Sequence, residues 1–300
     1  IVFGDWSSDV CSSDLGLDLD GQIVSLRSRS TIYQKLNKMK LRIFQADAFT
    51  DELFSGNPAA VVPLETWLPD ELMQKIALEN NLSETAFYIP GEEAFQLRWF
   101  TPATEVSLCG HATLATAHVL FTHMQYGGDL IVFRTLSGDL TVARINDLLY
   151  MDFPVSPLKP FPTPQGLTAA LGLRPLEVHH AGKYLLAVYK NEAEVRKIIP
   201  DFPMLAKLPF LGIIVTAPGD GVDFVSRFFA PAMGINEDPA TGSAHTALIP
   251  YWSARLGKKE LLAIQVSRRG GTMHCENHGD RVKIGGKAIT FMEGTMTIRK

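Results

Sequence analysis

The 300-residue chain predicts an α+β fold made of two similar halves, and three observations lead there. Arg98-Trp99-Phe100-Thr101-Pro102-Ala103 returns 129 residues later as Arg227-Phe228-Phe229-Ala230-Pro231-Ala232. Each copy is followed by a glycine-containing turn that opens an alanine-rich apolar helix, Cys109-Gly110-His111-Ala112-Thr113 in one and Asp238-Pro239-Ala240-Thr241-Gly242-Ser243 in the other. The tail Gly294-Thr295-Met296-Thr297-Ile298 resembles Gly138-Asp139-Leu140-Thr141-Val142, so the last strand is expected to return to the first half. Residues 39–155 plus 288–300 are expected to form one half and 156–287 the other, each a mixed sheet around one buried helix.

Taken in order, residues 1–38 stand apart. Ser7-Ser8-Asp9-Val10-Cys11 is nearly repeated as Ser12-Ser13-Asp14-Leu15-Gly16, and no sustained helix or strand period follows. The stretch reads as translated adaptor or vector sequence, or as a disordered tail, ahead of a start at Met39. A strand begins there, Leu41 to Phe49, and Gly56-Asn57-Pro58 turns into a buried strand. Pro69 and Asp70 open a helix with Leu72, Met73, Ile76 and Ala77 on one face, stopping at Asn80-Asn81. Leu82 to Tyr88 is a turn into a strand, 95–100 is another strand, and Ala112–Phe121 is apolar almost all round, the mark of a buried helix. Strands are expected at 130–135 and 139–153, then a proline-rich connector from Pro154 to Pro164. The second half continues with a short helix at 165–171, a strand at 184–189, a helix at 191–199 and strands at 211–216 and 223–229. A helix from Ser243 to Leu256 stops at Gly257, a good C′ residue, and glycine-punctuated strands and hairpins fill 260–300.

Composition narrows the function classes. A 46% hydrophobic, 20% charged chain is globular, and a net charge of −4 gives no basic footprint for nucleic acid. No apolar run reaches the ~20 residues of a membrane span. Three cysteines, Cys11, Cys109 and Cys275, make no disulfide scaffold and point to a reducing, cytoplasmic setting. No Gly-x-Gly-x-x-Gly after a strand, phosphate loop or Gly-x-Ser-x-Gly elbow occurs.

If the two buried helices start at one cleft, their N-termini offer unpaired N–H groups and partial positive charge, a ready carboxylate site. Fixed dipoles also suit a carboxylate that turns enolate-like when the neighbouring carbon loses a proton. A proton carrier is still required, and Glu84, His111 and Asp238 are the residues on offer in small-residue or turn contexts.

Four motifs in order, Phe54-Ser55-Gly56-Asn57-Pro58-Ala59-Ala60-Val61, Asn81-Leu82-Ser83-Glu84-Thr85-Ala86-Phe87, Cys109-Gly110-His111-Ala112-Thr113 and Glu237-Asp238-Pro239-Ala240-Thr241-Gly242-Ser243-Ala244, resemble the PhzF (phenazine-biosynthesis-like) family over Met39–Lys300. The resemblance implies the diaminopimelate epimerase-like fold, two pseudo-symmetric sheet or barrel halves with the site between them. It also implies a cofactor-independent isomerase with a glutamate proton shuttle, a role that falls on Glu84. His111 and Asp238 match the family's other catalytic residues; Asn57, Gly110, Thr241, Gly242 and Ser243 fall at substrate-binding positions. A homodimer, a small carboxylate partner and neither metal nor cofactor are implied as well. Diaminopimelate epimerases pair two cysteines; Cys109 stands at the first of those places, but the second turn here has none, which favours a carboxylate-centred shift.

Plainer readings stand beside these. Glu84 could cap or salt-bridge at its junction, and His111 could simply bond backbone at a helix start. Asp238 and Ser243 could cap the second helix, and Cys109 could be a small buried apolar residue. His274-Cys275-Glu276-Asn277-His278 offers zinc-ligand types for a hydrolase through His274, Glu276 and His278, but its flanking glycines predict an exposed hairpin. A non-catalytic carboxylate binder on the same fold is the remaining alternative.

Overall fold

The computed structural model describes residues 15–17, 23–25 and 38–299, so the expected foreign extension over 1–38 lies almost wholly outside the described residues. The chain divides into two compact units. In the smaller, residues 1–41 with 295–300, β1 (Leu15–Leu17) pairs antiparallel with β2 (Ile23–Ser25). The larger, Arg42–Gly294, is α+β and dominated by sheet.

Its ladder begins at β3 (Lys38–Ala48), antiparallel to β4 (Asn57–Pro63), which runs parallel to β5 (Glu84–Ile89). Next come β6 (Phe95–Phe100), antiparallel to β5 and to the two-residue β7 (Glu105–Val106), and β8 (Leu130–Thr135), parallel to β6. β9 (Gly138–Ile145) and β10 (Leu148–Pro154) continue antiparallel. A second run has the same order of pairings. β11 (Leu158–Pro160) precedes it, antiparallel to β12 (Glu177–Ala181). β12 is antiparallel to β13 (Tyr184–Val188), which is parallel to β14 (Gly212–Pro218). β15 (Phe224–Ala230) is antiparallel to β14 and to β16 (Ile235–Asp238), and parallel to β17 (Glu260–Gln265). β18 (Gly271–Asn277) and β19 (Arg281–Gly286) continue antiparallel, and β19 pairs with β10, joining the runs. β20 (Ala288–Arg299) ends the chain's described elements.

The helices are α1 (Asp70–Asn80), α2 (Gly110–Thr122), α3 (Leu167–Leu171), α4 (Glu192–Lys197), α5 (Phe202–Leu205) and α6 (Gly242–Leu256). Residues from His111 to Ala117 are all buried in α2, and Ala244 to Ile249 in α6. Helices apolar on every side have no face to offer water, and both pack inside the larger core cluster. None of the described helices is long and apolar enough to cross a membrane.

Phe49 is a keystone between these parts. It is fully buried with φ of 64°, a left-handed backbone that costs a bulky residue conformational energy. Its amide donates to the Lys287 carbonyl and its carbonyl accepts from the Thr272 amide. Gly286 leaves room for the side chain, since a Cβ there would lie 2.6 Å from its ring, while at Gly242 and Gly271 a Cβ would sit in ordinary contact at 3.7 and 3.6 Å. The start of α6 and the strands β18 and β19 thus share one aromatic wall.

Two sequence expectations change. The single strand expected over 139–153 is a hairpin, with Ile145 opposite Leu148 across Asn146-Asp147. Asn146 takes φ of 57°, which asparagine tolerates, and this lets a two-residue turn interrupt an apolar run. The connector from Pro154 is also more than a linker, since it carries β11 and docks on α6. Pro250 inside α6 has no N–H, so the Thr246 carbonyl one turn earlier lacks its helical partner. The Ser156 amide donates to that carbonyl at 3.2 Å, and the Thr246 hydroxyl donates to the Ser156 hydroxyl at 2.9 Å.

Gly286→Ala should force the Phe49 ring off its seat and cost about 1–3 kcal/mol in urea unfolding, as overpacking does. Gly127→Ala, where nothing lies within 4 Å of the added carbon, should stay within about 0.5 kcal/mol of wild type. Equal costs for the two variants would remove the keystone role from Phe49.

Candidate active site

Backbone ends build the site. Glu84 opens β5, Cys109 is the N-cap of α2, His111 lies in the first turn of α2, and Asp238 ends β16. Thr241 is the N-cap of α6 and Ser243 lies in its first turn. These six residues, with Gly110 and Gly242, line a cavity of about 310 Å³. The helix starts nearly touch: a Cβ on Gly110 would lie 3.7 Å from the Gly242 Cα. Neither N-cap side chain makes a capping hydrogen bond, and the first residues of both helices line the cavity.

Around His111 the groups form a row. Its Nε2 lies 3.0 Å from Glu84 Oε2, and its Nδ1 lies 3.5 Å from Cys109 Sγ. Neither Glu84 Oε2 nor His111 Nε2 has an aligned hydrogen-bond partner although both are buried, so their close approach is a charge contact. Burial opposes a charge on His111, yet its neighbours Cys109 and Glu84 outweigh that and raise its pKa well above 6.5. Burial, with the Glu84 charge adding to it, pushes the Cys109 thiol up to about 11. With the thiol pushed up, the Glu84 carboxyl is the neighbour that faces the ring's other nitrogen.

Asp238 is fixed from behind. Burial raises its pKa, the imidazolium of His111 opposes that rise, and the Glu84 charge adds to it. One carboxylate oxygen accepts from Asn57 Nδ2 at 2.8 Å and the other from the Thr241 hydroxyl. Asn57 also donates to the Ala240 carbonyl at 2.9 Å, and it sits wholly buried behind Asp238, not on the cavity wall. Gln265 locks the loop: its Nε2 donates to the Asp238 carbonyl at 2.6 Å and its Oε1 accepts the Thr241 amide at 2.9 Å.

All the expected site residues except Asn57 line this cavity, while the capping alternatives for Asp238 and Ser243 do not hold. Asp238 bonds Asn57 and Thr241 and stands three residues before the N-cap; Ser243 Oγ faces the Tyr184 hydroxyl at 3.2 Å. Gln265 and Tyr184 went unnoticed in the sequence. Gln265 had a signal, being a polar residue in register with Leu261 and Ala263 on the inward face of β17.

Glu84, Cys109 and His111 bring their ligand atoms within 4.8 Å of one another, as a metal site would. However, the thiol and the carboxylate face opposite nitrogens of one ring, so as arranged they form a row and not a chelate. In the other suspected cluster, His278 Nε2 meets Glu276 Oε2 at 2.8 Å at the turn of the β18–β19 hairpin, and Cys275 turns into the core.

A family model described as phenazine biosynthesis-like protein (PhzC-PhzF) matches residues 46–294. A Pseudomonas aeruginosa protein named an uncharacterized isomerase is 52% identical over 258 residues, covering 86% of this chain and 99% of its own. The crystal structure of a PhzF-family phenazine biosynthesis protein from Enterococcus faecalis aligns with a TM-score of 0.85 at 49% identity, over 87% of this chain and 100% of that one. A hydroxyproline epimerase from Agrobacterium vitis shares the fold, with a TM-score of 0.59 at 10% identity over 87% of this chain and 93% of that one.

With its pKa raised, His111 should stay protonated above pH 6.5; its stabilising contribution is present below pH 6.5 and is lost as pH rises through the folded value. Glu84→Gln removes one of the neighbours that oppose burial, and the His111 ring resonances followed by NMR should titrate at lower pH; an unmoved titration would remove Glu84 as the partner. His245 has the opposite sign. Burial lowers its pKa to about 4, so stability should be lost as pH falls from 6.5 toward 4, by up to about 3 kcal/mol. Urea midpoints across that range should fall less steeply in His245→Asn.

Proposed function

The chain belongs to the phenazine biosynthesis-like (PhzC-PhzF) family, and from that premise we propose that it is a cofactor-independent isomerase that moves a proton on a small carboxylate, with Glu84 as acid and base. The observation that carries this reading is the position of Glu84, 3.0 Å from the buried His111 imidazole in a cavity onto which two helix N-termini open. The names of the related isomerases support the same class of reaction. The recurring order of strand pairings supports reading the larger unit as two pseudo-symmetric halves, one helix buried in each.

In this reading the substrate carboxylate lies against the open N–H groups of α2 and α6 with the Ser243 hydroxyl. The Glu84 carboxylate takes a proton from the adjacent carbon: the C–H bond breaks, an O–H bond forms, and the electron pair spreads into the substrate carboxylate. The helix dipoles favour that added charge without reorganising. Glu84, now a neutral acid, returns the proton to another carbon of the conjugated system. One group serving both steps works on one face, so the outcome is a shifted double bond and not an inverted centre. His111 holds Glu84 in place by charge, and Asp238, fixed by Asn57 and Thr241, accepts from substrate hydroxyl or amino groups.

Proton NMR in D₂O with a panel of cyclic dienoic, hydroxy and amino carboxylates should show solvent deuterium entering one class of substrate. Glu84→Gln should slow that exchange by about 10²-fold or more. Exchange surviving the substitution would move the base to another residue.

A further inference from the structure

A second cavity, of about 350 Å³, adjoins the first and shares Leu108, Gly110, Lys183, Tyr184 and Ser243 with it. Those shared residues form a seam that carries the start of α2, the start of α6 and, among the described residues, the one lysine or arginine lining either cavity. Beyond the seam the character changes. Phe153, Pro154 and Ala181 supply the wall, with Phe153 and Ala181 nearly inaccessible to water. The hydroxyls there already have partners: that of Thr246 meets the Ser243 carbonyl at 2.8 Å and the Ser156 hydroxyl at 2.9 Å. Tyr184 and Ser243 engage each other at the seam itself. Lys183 apart, no charged side chain lines this cavity among the described residues.

Acid–base groups on one side, positive potential at the seam and an apolar chamber on the other side define a three-part ligand. We infer that the substrate carries, besides its carboxylate, an apolar ring or chain of about benzyl size that occupies this second cavity. The carboxylate sits at the seam, the reacting carbon faces Glu84, and the apolar group rests against Phe153 and Ala181. Gly110 is the threshold: a Cβ there would lie 4.0 Å from the Phe153 ring and 3.7 Å from the Gly242 backbone, so a side chain would occupy the passage. The inference names the substrate class of the site proposed above and rests on its carboxylate reading.

Calorimetric titration with propanoate and 3-phenylpropanoate tests it, since the two differ by the ring alone. 3-Phenylpropanoate should bind at least about tenfold more tightly, the gain expected from burying most of an aromatic ring. Ser156→Phe, which fills the chamber, should remove that gain and leave the propanoate Kd within about twofold. Because this change could disturb the Ser156–Thr246 contact, filtered NOEs in the unaltered protein provide a second readout, with the phenyl protons expected on the Ala181 methyl and the Phe153 ring. The preference should persist in Glu84→Gln, because it does not depend on proton transfer. Equal affinities, or NOEs to residues outside the chamber, would overturn the inference while leaving the carboxylate reading intact. Binding of neither probe would overturn both.

Discussion

Two helix N-termini that nearly touch set the terms for this molecule. At Gly110 and Gly242 a Cβ on either residue would touch the other's backbone. Each end presents about half a positive charge, so the two helix starts repel each other across the cavity. Negative charge has to be close by, and the buried carboxylates Glu84 and Asp238 line the same cavity. Their presence is itself costly, as the raised pKa of Asp238 records. The imidazolium of His111 and the donors Asn57 and Thr241 share in offsetting that cost. Under the proposed function, a substrate carboxylate would join charges that already partly offset one another.

The row through His111 also bears on the single thiol at this place. Cys109 sits beside an imidazole, a neighbour that commonly generates thiolate. Here burial and the negative charge of Glu84 act the other way and keep the thiol protonated. The same ring gives one nitrogen to sulfur and the other to carboxylate, and the carboxylate claims the charge.

Much of this could be read in the chain, and the limits follow physical lines. Helices α2 and α6 were legible because small and apolar residues on every side permit only burial, and Gly257, in the left-handed conformation, marks where α6 stops. Glu84, His111 and Asp238 were legible because their motifs stand at strand and helix ends, where a polar side chain is freed from the ladder. Gln265, Tyr184 and the true partner of Asn57 were not. Asn57 and Asp238 are 181 residues apart, and no local spacing announces a contact that only tertiary packing creates. The hairpin at Asn146 was hidden in an apolar run because its turn is two residues long. Phe49 breaks the rule that bulky residues avoid a left-handed backbone, and Gly286, which makes room for its ring, lies far along the chain on β19.

Pro250 reaches furthest in its effects. By lacking one N–H it leaves the Thr246 carbonyl free for Ser156, so the connector is held by something the helix does not have. The dock joins residues 90 positions apart. A residue at 250 with an N–H would compete with Ser156 for the Thr246 carbonyl, so by withholding one donor from its own helix the proline reserves that acceptor for a segment that also lines the outer chamber.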